Sequence, residues 1–330
     1  MSLPREVHCV PLPTGLPVGP VNAYLIDGDP ITLVDTGLKS DESWQALQHH
    51  LAQTGHTVAD VRQILITHGH VDHAGQAARI VAAQKTEGLT PAQVYIHTGD
   101  LERVSDYDAY MEARADAYVR VARESGVSQS GLMLPSPSMI IRYFRGMGES
   151  LESVVGINDG TSFNTGIGPL EAVWTPGHSF GSTCYVSREH GLLFSGDHVL
   201  SDISSNPSID FDSFQDIAML VYLRSLERLR EFDGYTVLPG HRDIIRRLVS
   251  RIDELIDDYE RKFDQARQAL RPTPLSVYQM SRVLYGDYGF GQMILALAET
   301  NDILKVLERR GQARLEVKSG VLTARLPDTV

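Results

Sequence analysis

The sequence predicts an α+β protein that carries a metal centre on its strand ends. Three observations predict it. Apolar or β-prone runs at 64–66, 192–194 and 237–238 each lead into a turn bearing a histidine or an aspartate. A separate stretch, 243–270, repeats Ile244, Leu248, Ile252, Leu255, Ile256 and Tyr259 at helical spacing. A final segment, 311–325, alternates apolar and polar residues around Lys318-Ser319-Gly320, as a hairpin does.

The first of these runs, Ile64-Leu65-Ile66, reads as a buried strand. It opens onto Thr67-His68-Gly69-His70-Val71-Asp72-His73. Neutral imidazole and carboxylate are ligands that zinc accepts at about 2.0–2.2 Å. The chain has 12 histidines in 330 residues, so three within six positions is not explained by composition. In an extended loop His68, His70 and Asp72 face one way and His73 the other, because side chains alternate with period two. One such loop can serve two metals. Residues 74–81 read as the helix that follows.

Residues 94–97 read as the next strand, and an insert at about 99–150 follows. Within it, residues 100–124 read as one long helix, with Tyr107, Tyr110, Met111 and Tyr118 along one stripe. A loop with Pro135 and Pro137 comes next, then a second helical stretch at 139–147. Four of the eight Met and four of the thirteen Tyr fall in this insert. Adaptable Met and amphipathic Tyr suit the lining of a substrate pocket, which makes Tyr107, Tyr110 and Met111 pocket candidates in a cap. The alternative is ordinary helix packing or a dimer interface.

Trp174-Thr175-Pro176-Gly177-His178 and Val237-Leu238-Pro239-Gly240-His241 share one design: a β-prone run, a Pro-Gly turn, then a histidine. Between them Leu192-Leu193-Phe194-Ser195-Gly196 ends in Asp197. His198 follows it as a further pocket candidate, although a structural histidine is the stronger expectation there. After residue 270, Arg271-Pro272-Thr273-Pro274 breaks the long helix. Residues 275–284, 291–299 and 301–310 read as short helices before the hairpin. Helix, helix, helix, hairpin is a winged-helix pattern, so the expected division is 1–270 and 271–330.

His-x-His-x-Asp-His followed by a distant His, Asp and His resembles the metallo-β-lactamase superfamily of metallohydrolases. Residues 21–26 and 31–37 match that family's opening hairpin, and the likeness runs over roughly residues 18–245. The resemblance implies an αββα four-layer sandwich with the site at one edge of its two sheets. It implies that His68, His70 and His178 hold a first metal, that Asp72, His73 and His241 hold a second, and that Asp197 bridges them. Two divalent ions are the implied cofactors, zinc by default, with Mn and Fe also suited to these ligands. No cysteine stands at a ligand position, unlike several true β-lactamases, which argues against antibiotic hydrolysis. The C-terminal pattern resembles the small domain of the lactamase-β-like endoribonuclease branch.

The chemistry such a pair of metals implies is hydrolysis. Two cations about 3.5–4 Å apart acidify a shared water, the metal-bound hydroxide attacks, and the metals stabilise the developing oxyanion. Asp72 is a ligand and also the candidate catalytic residue, orienting the nucleophile and shuttling its proton. Asp35 and Thr67 are candidates to hold a ligating imidazole by its other nitrogen. The leading expectation is a hydrolase of a small thioester, ester or lactone, similar to glyoxalase II relatives. The alternatives are an endoribonuclease or phosphodiesterase using the same site, and an iron-dependent persulfide dioxygenase.

Composition bounds these expectations. An apolar share of 42% and a charged share of 22% are ordinary for a globular chain. Residues 271–330 carry 8 Lys+Arg against 6 Asp+Glu, while the whole chain carries net −12, leaving −14 for residues 1–270. An acidic body opposes a phosphate backbone at long range, so nucleic acid is disfavoured as a partner. A small molecule is the expected substrate, with a homodimer as the compatible assembly. Cys9 and Cys184 form no disulfide framework, no signal-peptide pattern opens the chain, and no apolar run spans a membrane. A cytoplasmic location is the expectation.

Overall fold

The computed structural model describes residues 3–134, 136–207 and 214–327. Pro135 of the expected insert loop lies outside them. Two sheets face each other. The first runs in sequence order as β1 (Val7–Leu12), β2 (Val21–Ile26), β3 (Thr32–Val34), β4 (Gln63–Leu65), β5 (Gln93–His97) and β6 (Val155–Ile157). The second contains β7 (Ser162–Thr165), β8 (Gly168–Trp174), β9 (Thr183–Ser187), β10 (Leu192–Gly196) and β11 (Thr236–Pro239), ordered β11-β10-β9-β8-β7. β1 to β3 are antiparallel and β3 to β6 parallel; β10 and β11 are parallel.

The alternation of each strand makes the layers. In β2, Val21, Ala23 and Leu25 pack outward with Leu47, Leu51 and Ile80. These partners belong to helices α1 (Asp41–Gln53) and α3 (Ala77–Thr86), which cover that face. Tyr24 and Ile26 of β2 point inward, where they meet Tyr185, Phe194 and Leu238 of the second sheet. On that sheet Cys184, Val186, Leu193 and Val237 face outward, against α7 (Ala218–Leu229) and α8 (Leu248–Ala269). Helix, sheet, sheet, helix is the expected αββα sandwich.

Between His70 and Gly75 the chain forms a single turn, α2 (Val71–Ala74), so the alternation that an extended loop would give does not apply there. His70 keeps an extended backbone and caps the turn, so Asp72 and His73 project from a helix, not from alternating positions of a strand. The insert also differs from expectation. Its long helix is broken into α4 (Leu101–Ser105) and α5 (Tyr107–Glu124), because Asp106 leaves helical geometry and its side chain accepts from Ala109 N–H as a cap. The second helix, α6, covers Pro137–Phe144, with Ser136 capping and proline at the first turn.

The C-terminal helix α8 starts at Leu248, five residues later than expected. Residues 243–247 instead place Ile245 in a bridge with Val237 of β11, and Ile244 is exposed. Beyond it lie β12 (Leu275–Ser276), α9 (Val277–Tyr285), α10 (Phe290–Arg309), β13 (Arg314–Lys318) and β14 (Val321–Arg325). The two expected short helices at 291–299 and 301–310 are one continuous helix, α10. The three strands form a sheet ordered β12-β14-β13. The outward core of the second sheet runs without a break through α8 into Met280, Leu297, Ile303 and Leu304. The C-terminal segment is therefore packed onto the sandwich. Ala122 and Val127, in the last turn of α5 and just beyond it, belong to that same core.

Candidate metal centre

Strand ends from both sheets converge at one edge of the sandwich. β4 delivers residues 67–73, β8 leads to His178, β10 to Asp197 and β11 to His241. Close packing of these ends explains several of their glycines. A Cβ on Gly240 would stand 2.6 Å from both Asp197 Oδ1 and His73 Cε1, and one on Gly196 would stand 2.6 Å from Thr67 Oγ1. Gly196 also has a φ of 49°, in the left-handed region.

Three sets of candidate ligand atoms lie close enough to share an ion: His68, His70 and His178; Asp72, His73 and His241; and His68, His73 and Asp197. In the first, His68 Nε2 and His178 Nε2 stand 2.9 and 2.8 Å from His70 Nδ1. In the second, Asp72 Oδ2 is 3.3 Å from His241 Nε2. Asp197 spans the two. Its Oδ2 is 3.8 Å from His178 Nε2 and 3.6 Å from His241 Nε2, and its Oδ1 is 3.4 Å from His73 Nε2.

The outward nitrogen of four of these imidazoles is held by a partner, which sets the tautomer. His178 Nδ1 donates to the Ser205 carbonyl and His241 Nδ1 to the Pro20 carbonyl. His73 Nδ1 donates to Asp35 Oδ2 at 2.8 Å. Thr67 Oγ1 also donates to Asp35 Oδ2 at 2.8 Å, so the contact at 3.1 Å from His68 Nδ1 to Thr67 Oγ1 runs from the ring to the hydroxyl. In each ring the lone pair is left on Nε2, turned inward. Asp35 thus serves a ligand of each set, and its Oδ1 takes Thr67 N–H as well.

This donor set fits divalent cations. His73 Nε2, His241 Nε2 and Asp197 Oδ1 are buried and have no hydrogen-bond partner among the described residues. Two inward lone pairs, from His68 and His178, converge on His70 Nδ1, an arrangement one shared proton cannot satisfy. Burial, reinforced by neighbouring imidazoles and Arg103, holds His68 and His70 well below the ordinary histidine value, so both remain neutral donors. Around the second set the carboxyls dominate. Burial pulls His73 and His241 down, but Asp197 and Asp72 push both above their ordinary value, joined by Asp35 at His73. Burial likewise pushes Asp72 and Asp197 up, and the imidazoles outweigh it and hold both below the usual carboxylate range.

The remaining candidates have other surroundings. His198 is fully buried, edge-on to Tyr222 with centroids 4.9 Å apart, and burial pushes it down to about 3. Tyr107 and Met111 are buried within the insert, and Tyr107 donates its hydroxyl to the Phe144 carbonyl at 2.7 Å. Tyr110 is half-buried under the guanidinium of Arg103, 4.9 Å from its ring centre, with that of Arg114 at 5.9 Å. Both arginines are buried and both act electrostatically on His70, so this part of the insert lies beside the centre. Met133 and Met139, two further methionines of the insert, are exposed.

Sequence reasoning missed Asp100, Ser205, Asn22 and the Pro20 carbonyl. Asn22 and Tyr24 reach across the sandwich to the Pro239 carbonyl at 3.2 and 2.8 Å, bracing the turn before His241. Asp100 did carry a signal. It follows the end of β5, the strand beside β4 in a parallel sheet, where ligand-positioning residues collect.

An αββα sandwich with these ligands at the sheet edge defines a metal-dependent hydrolase. The chain belongs to the metallo-β-lactamase superfamily, whose family model matches residues 16–241. It is 27% identical over 310 residues to a probable metallo-hydrolase, YqjP, of Bacillus subtilis, covering 92% of each chain. It is 32% identical over 115 residues to an atrochrysone carboxyl ACP thioesterase of Aspergillus fumigatus, which spans 35% of this chain and 25% of that one. A metallo-β-lactamase family protein of Thermus thermophilus shares the fold at a TM-score of 0.83 and 24% identity, over 99% of this chain and 100% of that one.

Proposed function

We propose that the chain hydrolyses a small thioester, ester or lactone at a dinuclear centre. The observation that carries this reading is the placement of Asp197, with one carboxyl oxygen within 3.8 Å of a histidine from each ligand set. His68, His70 and His178 would hold one divalent ion and Asp72, His73 and His241 the other, with Asp197 between; zinc is the expected metal. Bound there, such a pair supplies a water acidic enough to attack at neutral pH and a positive field for the developing oxyanion. The chain's own residues do the positioning. Asp35 and Thr67 fix the rings of His68 and His73, the Pro20 and Ser205 carbonyls fix His241 and His178, and burial keeps bulk water away. Asp72, facing His241, is the group placed to hold the proton that leaves the attacking water.

The thioesterase named among the relatives supports an acyl substrate. Acyl hydrolysis also suits an acidic chain better than a polyanion does. The C-terminal order α8, β12, α9, α10, β13, β14 is the feature that favours a nucleic-acid substrate instead. The deciding measurement is kcat/KM of the zinc-loaded protein on S-lactoylglutathione beside a phosphodiester of similar size, with His68→Ala as blank. Acyl hydrolysis that vanishes in the blank supports the proposal. Dominant phosphodiester cleavage replaces it with the nuclease reading. One iron per chain, with oxygen consumed on glutathione persulfide, replaces it with the dioxygenase reading.

A further inference from the structure

We infer that Asp100 is a positioning residue that assembles one metal site of the pair and leaves the other alone. Asp100 is 4% exposed and stands at the end of β5, between the two loops that carry His68, His70 and His178. Its Oδ2 accepts Gly69 N–H at 2.8 Å and the Ser179 hydroxyl at 2.7 Å; its Oδ1 accepts Gly181 N–H at 2.8 Å. Gly69 lies between His68 and His70, and Ser179 follows His178. One carboxyl therefore ties the backbone of the first loop to the second, at the residues adjoining all three histidines. No hydrogen bond from Asp100 to Asp72, His73, Asp197 or His241 occurs among the described residues.

The packing around Asp100 is as specific as the bonding. A Cβ on Gly181 would stand 2.6 Å from Asp100 Cγ, one on Gly69 3.3 Å from Asp100 Cβ, and one on Gly99 3.0 Å from Gly181 N. Three glycines let three backbones close on the carboxyl. Each donor that meets it is buried with it, so its acceptors cannot be replaced by water without opening the loops. Asp35 anchors Thr67 and the second set's His73, so the two carboxyls divide the labour: Asp35 spans both sets and Asp100 serves the three histidines.

The inference rests on metal being bound at this centre, and its test separates the two. Zinc affinity is titrated in two backgrounds, His241→Ala, which keeps the three-histidine site, and His68→Ala, which keeps the other. Asp100→Asn places an amide where a backbone or hydroxyl donor points. It is expected to weaken zinc roughly 10–100-fold in the first background, the range for partners that orient ligands, and to leave the second within about twofold. Ser179→Ala, which removes one of the three bonds and folds more readily, is expected to act in the same background only, by a smaller factor. Equal weakening in both backgrounds would mean a general structural role and overturn the inference, as would no change in either. Failure of the unsubstituted chain to bind zinc would overturn the metal reading and this inference with it.

Discussion

Asp35 holds its carboxyl where three donors meet, with its own backbone at a φ of 59°. That left-handed conformation costs a non-glycine residue roughly 1–3 kcal/mol and persists where surroundings enforce it. Asp35→Asn loses either the acceptor of Thr67 N–H or the one shared by the Thr67 hydroxyl and His73, so metal affinity is expected to fall about 10–100-fold, read by zinc titration. Gly240→Ala is expected to abolish metal binding while the fold survives, since the added methyl collides with Asp197 and His73; metal content beside a far-ultraviolet spectrum checks it. At this scale the sequence was legible wherever chemistry concentrates in a short motif. His68, His70, Asp72, His73, His178, Asp197 and His241 all meet at one edge. Asp100 was not legible, because a lone aspartate after a strand looks like a helix cap until the neighbouring loop is seen folded onto it. The Pro20 and Ser205 carbonyls carry no side-chain signal at all.

Secondary elements were read best where burial fixes their period and worst at their ends. The strands feeding the centre stand where the apolar runs put them. The break at Asp106 and the late start of α8 went unseen because local capping and the Ile245–Val237 bridge override the apolar repeat. Phe194 sits wholly buried between the sheets, edge-on to Tyr24 with centroids 5.3 Å apart. Phe194→Ala is expected to cost about 3–5 kcal/mol, measured by chemical denaturation. Tyr107→Phe should cost only about 0.5–1.5 kcal/mol, the net value of its bond to the Phe144 carbonyl. It should leave kcat/KM within about twofold; a larger catalytic loss would return Tyr107 to the substrate pocket.

The molecule as a whole carries net −12 and no helix among its described residues long and apolar enough to cross a membrane. Its core extends from the second sheet through α8 into the C-terminal helices, so the tail is expected to unfold with the sandwich. Chelation removes ligands that bind only the folded state. At a free metal concentration 100 times Kd that binding is worth about 2.7 kcal/mol. The expected outcome is a single melting transition that shifts down on treatment with a chelator and recovers on zinc addition. Two separate transitions would show the tail to be an independent unit, as the division expected from its winged-helix pattern has it.

The turn at 239–242 is received by the first sheet. Asn22 N–H of β2 meets the Gly240 carbonyl, its side chain meets the Arg242 carbonyl, and the Pro20 carbonyl takes the His241 ring. The two side-chain contacts span 220 and 221 residues. A ribosome reading from the N-terminus has released β2 long before its counterpart exists. Pairings so distant in sequence form slowly, since the loop must close before the contact is gained. A nascent chain that has reached residue 178 already owns all three histidines of the first set; the second set waits for residue 241. The first set is therefore complete before the second in every copy synthesised, and the last strand of the sandwich to arrive is the one that seals it.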